Sequence, residues 1–114
     1  MGVRIARQDD DGVAVLALRG ELDVTGGPGL QQALLDAIGE QRGRRVIVDL
    51  EGVDLIDSAG LGVLLGGLER ARTNDGDLVL VATGKNVLRV LELTRLTRVF
   101  NIYSTRAAAL DVRG

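Results

Sequence analysis

Cysteine and histidine are both absent from the 114-residue chain. Without cysteine there can be no disulfide, no thiolate metal site and no thiol nucleophile, and a reducing compartment is permitted. Without histidine the usual general base near neutral pH and the commonest metal ligand are missing, so this chain alone cannot build a Ser-His-Asp triad or an ordinary zinc site. The only aromatic residues are Phe100 and Tyr103, too few for a base-stacking platform. A net charge of −2 with both signs interspersed supplies no cationic field for a phosphodiester backbone. Nucleic acid is therefore not an expected partner. No apolar run approaches the roughly 20 residues that span a bilayer, and the opening MGVRIARQDDDG lacks the apolar stretch of a secretory signal. The expectation is a cytoplasmic protein without direct membrane insertion. Nucleotide fingerprints are missing too. GLGVLLG departs from the G-x-G-x-x-G spacing, and no G-x-x-x-x-G-K-[ST] segment occurs, so no cofactor is expected.

An apolar content of 46% is enough for one hydrophobic core at this length, and residues 1–114 read as a single domain. Val3 and Ile5 alternate with Arg4 and Ala6 as in a half-buried edge strand, DDDG reads as a turn, and Gly12 to Leu18 is almost continuously apolar. The pattern predicts an antiparallel hairpin. The period then changes. Leu30, Ala33, Leu34, Ala37 and Ile38 mark an amphipathic helix, with Thr25 as a candidate cap, Pro28 in the first turn and Gly43 near the end. RRVIVDL and DLVLVAT predict two further strands, each followed by helical periodicity: Leu61, Leu64, Leu65 and Leu68 after the first, Val87, Val90 and Leu91 after the second. Such βα units favour parallel pairing. Asn101 to Tyr103 is a short strand candidate, with a short helix starting near Ser104 or Thr105. The fold class is α/β, a mixed sheet of an N-terminal hairpin plus βα units packed with about four helices.

The segment IDSAGLGVLL, residues 56–65, sits where the first βα unit turns from strand to helix. Asp57 or Ser58 can cap that helix by accepting from its orphan backbone N–H groups. Capping does not account for Gly60, Gly62, Gly66 and Gly67 in one helix, since each interior glycine costs nearly 1 kcal/mol relative to alanine. Either the helix approaches its own sheet closely, the reading slightly favoured by sequence, or a smooth exposed face is left for another protein. A phosphate on Ser58 would bring a charge of about −1.5 to −2 to the positive end of a helix dipole. It would alter the surface without unfolding the chain.

GELDVT with Asp23, the VIVDL strand and IDSAGLGVLL with Ser58, in this order and spacing, resemble the STAS-domain anti-anti-sigma factors, also called anti-sigma factor antagonists. The resemblance covers nearly the whole chain. It implies a regulator, not an enzyme, whose unphosphorylated form binds a serine-kinase anti-sigma factor and so releases a sigma factor. It also implies that Ser58 is the phosphate acceptor, with Asp23 its acidic neighbour in the loop after the second strand. Asp57, Gly60, Leu61 and Gly62 match the acceptor-helix motif and are expected to shape the partner surface together with Thr25 and Ala59. Ala59 departs from the Ser or Thr common in the family. Thr83 and Asn86, in a β-to-α turn, are expected on the same rim. The expected oligomeric state is monomer or weak dimer. The competing reading is a STAS subunit docking constitutively on a transporter ATPase or a signalling scaffold, with Ser58 only a cap.

Overall fold

The computed structural model describes residues 2–40 and 43–111. Five strands form one sheet in which spatial order follows chain order, with β1 (Val3–Asp10) antiparallel to β2 (Val13–Leu22) and the remaining neighbours parallel. The hairpin closes through Asp11 and Gly12, both at positive φ (51° and 78°), the two-residue Asp-Gly turn whose twist matches that of its strands. The turn is thus shorter than DDDG: Asp9 and Asp10 belong to β1 and pair with Ala14 and Val13.

From β2 the chain enters helix α1 (Gly27–Glu40), which buries Leu30, Leu34, Ala37 and Ile38. Strand β3 (Arg45–Ile56) follows and is longer than its apolar run. It continues through Glu51 and Gly52, where the register against β2 slips between Ala17 and Arg19, and slips again between Gly20 and Glu21, irregularities that let the strand run on without ending. Asp49, buried, supports the first of them by accepting from the Glu51 N–H at 2.9 Å. Helix α2 (Ser58–Thr73), strand β4 (Asp77–Val81) and helix α3 (Lys85–Leu93) come next. A 3-10 turn (Leu96–Arg98), strand β5 (Asn101–Tyr103) and helix α4 (Arg106–Leu110) complete the order.

The helices divide unequally between the two faces of the sheet. On one face α1, α2 and α3 bury Leu34, Leu64, Leu68 and Leu91 against Leu16, Val48 and Leu80. On the other, α4 contributes Ala109 to a small cluster with Val15, Ile47, Val79 and Val81, with Tyr103 packed at its margin. Tyr103 therefore covers the core, as its type suggests. No helix among the described residues is long and apolar enough to cross a membrane.

Candidate functional site around Ser58

β3 outruns β4, whose last paired position is Val81 with Asp49, and continues beside β2 until Leu22 pairs with Ile56. The chain thereby carries Asp57 and Ser58 past the end of β4, next to the loop that follows Leu22. The Asp57 N–H donates to the Leu22 carbonyl at 3.2 Å, fixing the strand-to-helix turn against the β2 end. The cap of α2 is Asp57: its backbone is extended and its carboxylate accepts from the Gly60 N–H at 3.0 Å. Ser58 is the first helical residue, is exposed, and its hydroxyl makes no hydrogen bond among the described residues. The choice of cap left open by the sequence is resolved in favour of the aspartate.

The four glycines of α2 separate into two pairs. A Cβ on Gly60 would lie 2.6 Å from the Leu22 carbonyl oxygen, and one on Gly67 would lie 2.8 Å from Leu34 Cδ1. These two permit the helix to press on the sheet and on α1. A Cβ on Gly62 or Gly66 would meet nothing within 4 Å, and both residues are exposed. Both explanations of the small residues therefore hold, each for one pair. Ser58, Gly62 and Gly66 recur every fourth residue and line one helical stripe. Gly62 and Gly66 open into a groove of about 430 Å³ between α1 and α2, lined also by Gln31, Leu35, Ala59 and Arg70. Leu61 is buried and anchors α2 to the core.

Asp23 organises the neighbouring loop. Its carboxylate accepts from the Thr25 hydroxyl at 2.7 Å, from the Thr25 N–H at 3.0 Å and from the Gly26 N–H at 3.2 Å. The Thr25 hydroxyl first, and then these two backbone N–H groups, hold the Asp23 carboxyl below its ordinary pKa despite some desolvation, because each favours the ionised form. Thr25 does not cap α1, because among the described residues no N–H of the helix donates to its hydroxyl, which instead donates to Asp23 and so shapes the entry to the helix.

Thr83 and Asn86 are less closely tied to this region. The Thr83 N–H and hydroxyl both donate to the Glu51 carboxylate, at 2.9 and 2.8 Å, and Asn86 is exposed in the first turn of α3. Among the described residues, no hydrogen bond joins either to Ser58. Two apolar side chains that sequence reasoning passed over stand at the same end of the sheet: Val24 is 69% and Leu55 50% exposed. Val24 was visible as the one apolar residue in the polar stretch between Leu22 and Gly26, whereas Leu55 was hidden inside an apparent strand terminus.

The STAS domain family model matches residues 4–109. An anti-sigma F factor antagonist of Paenibacillus polymyxa is 26% identical over 110 residues, spanning 96% of this chain and 94% of the relative. An anti-sigma-B factor antagonist of Staphylococcus aureus is 29% identical over 102 residues, 90% of this chain and 94% of the relative. The crystal structure of an anti-sigma factor antagonist from Mycobacterium paratuberculosis matches with a TM-score of 0.85 at 30% identity, covering 95% of this chain and 91% of that one. The five-stranded mixed sheet, the acidic loop after β2 and the serine opening α2 are thus features of a chain that belongs to the STAS-domain family of anti-sigma factor antagonists.

Proposed function

We propose that residues 1–114 act as one non-enzymatic domain that binds a serine-kinase anti-sigma factor in its unphosphorylated form, releasing a sigma factor, and that phosphorylation of Ser58 switches this binding off. The observation that carries the reading is the division of labour at the start of α2. Asp57 performs the capping, so the exposed Ser58 hydroxyl is uncommitted. A kinase would supply ATP, Mg2+ and the catalytic groups, and this chain would be substrate and ligand. Docking would use the stripe from Ser58 through Gly62 to Gly66, where the missing side chains let a partner approach the helix backbone. Ala59 and the Asp23–Thr25 loop would flank it.

A phosphate on Ser58 would meet the partial positive charge of the helix N-terminus, a favourable placement that spares the fold. It would also add a dianion beside Asp57 and project bulk onto the face the partner must cover. The loss of binding would therefore arise from charge and shape at the surface, not from unfolding.

The test is incubation with the cognate anti-sigma kinase and ATP, followed by intact-mass measurement. One added phosphate is expected on the native protein and none on Ser58→Ala. A phosphate retained by Ser58→Ala would reject Ser58 as the acceptor. Recovery of a transporter ATPase, and no anti-sigma factor, on native pull-down would instead support constitutive docking.

A further inference from the structure

The sheet face covered by α4 is only partly covered. Beyond the helix, β1, β2 and the irregular part of β3 form the floor of an open groove of about 520 Å³. Arg4 and Arg19 stand directly opposite each other across β1 and β2, and the next pair on that face is Ala6 with Ala17. The partner of Arg19 on β3 is Gly52, which adds no side chain to the floor. Two guanidiniums thus face a smooth trough walled by Arg106 of α4.

Of the two acids in the groove, Asp49 is ion-paired with Arg106, which also donates to Gln8, while Glu51 is turned to Thr83, whose N–H and hydroxyl donate to it, and keeps its charge. Three arginines against two carboxylates leave the lining net cationic. Arg4 and Arg19 are both exposed, and neither makes a hydrogen bond or ion pair through its side chain among the described residues. Like charges directly opposite in a sheet are destabilising, so the fold gains nothing from this pair. Protection of an edge strand against unwanted pairing accounts for a charge on β1. It does not account for Arg19, because β2 lies between β1 and β3.

We propose that this groove docks an extended acidic segment of a partner protein, its carboxylates seated on Arg4 and Arg19. Guanidinium forks match carboxylates in geometry and charge, and the alanine and glycine floor admits a peptide backbone close to the sheet. Two guanidiniums side by side on neighbouring strands, in a groove of about 520 Å³, favour a chain carrying several carboxylates over a single small anion. The groove lies on the sheet face opposite the one that carries α2, so an acidic segment bound here leaves the Ser58 surface free, and the domain can hold two partners at once.

Fluorescence anisotropy of a labelled octaglutamate peptide against the intact protein tests this. At low ionic strength saturable binding is expected, weakened about tenfold or more by the double substitution Arg4→Glu and Arg19→Glu, and similarly by raising NaCl to about 0.5 M. If that variant fails to give the native circular-dichroism spectrum, Arg4→Gln with Arg19→Gln carries the same expectation. Ser58→Asp should leave peptide affinity within about twofold of wild type, which separates this site from the phosphorylation reading. The proposal is overturned if wild type does not bind the peptide, if both double variants bind as wild type does, if Ser58→Asp abolishes binding, or if equimolar inorganic phosphate displaces the peptide.

Discussion

Replacing Gly62 and Gly60 by alanine, one at a time, should move stability in opposite directions although the two residues are neighbours on one helix. At Gly62 the new methyl enters open space, so the variant gains helix propensity and loses unfolded-chain entropy at no steric cost. The gain is up to about 1 kcal/mol, or roughly 4 °C in Tm for a domain of this size. At Gly60 the methyl would lie 2.6 Å from the Leu22 carbonyl oxygen and 2.8 Å from Leu22 Cγ. A backbone oxygen cannot rotate aside, so α2 must lift from the end of β2, disturbing the Asp57–Leu22 hydrogen bond as it goes. Overpacking of this kind costs about 1–3 kcal/mol and exceeds any gain in propensity. The propensity gain is common to both variants, so they should differ by the overpacking cost, about 1–3 kcal/mol, in urea or thermal unfolding monitored by circular dichroism. A Gly60→Ala protein as stable as Gly62→Ala would refute the close approach of α2 to β2. Gly62→Ala should also weaken binding to the anti-sigma partner while stabilising the fold, the trade expected when a glycine is kept for an interface. Improved stability with unchanged affinity would remove Gly62 from the docking surface.

Three further perturbations probe the supports of the site. Asp57→Ala removes the α2 cap and should cost about 1 kcal/mol, read as a lower urea midpoint, whereas Ser58→Ala should leave stability within about 0.5 kcal/mol of wild type. Arg106→Ala strips the guanidinium from the buried Asp49 carboxylate and should cost about 2 kcal/mol, below the value for a fully buried pair because Arg106 is partly solvated; an unchanged unfolding midpoint would show that water replaces the arginine. Because the Asp23 pKa is depressed in the folded state, its stabilising contribution is present above the ordinary aspartate value and is lost as pH falls through the lower folded value. A carboxyl NMR titration should place the Asp23 midpoint below that of an unstructured aspartate, with Thr25→Ala moving it back upward. A midpoint at or above the ordinary value would contradict the hydrogen-bonded loop.

The order of elements was legible because each strand and helix carries its own period: the branched runs VIVDL and LVLV, and the stripe from Leu30 to Ile38. Less legible was the extent of β3. Glu51 and Gly52 look like a strand ending, and only pairing with β2 across the slips in register carries the strand on to Ile56. The α2 glycines stand out in the sequence as a group, while their division needs the helical stripes. The division was present in the spacing: Gly60 and Gly67 fall on the stripe of Leu64, Leu68 and Ala71, all buried, while Gly62 and Gly66 share theirs with Ser58 and the exposed Glu69 and Thr73. Asp49 and Arg106, separated by 57 positions, gave no local signal, because an aspartate within VIVDL carries no mark of its distant partner. Residue type alone suggests Thr25 as a cap. Asp23, which can accept several N–H and O–H donors at once, is the stronger organiser of the same turn.

The most direct measurement is calorimetric titration of the anti-sigma factor with this protein, prepared once with a phosphate on Ser58 and once without. The phosphorylated form should bind at least about tenfold more weakly while retaining the circular-dichroism spectrum and Tm of the unmodified form. Equal affinities, or a loss of binding that tracks unfolding, would contradict a switch that acts through surface charge at the mouth of α2.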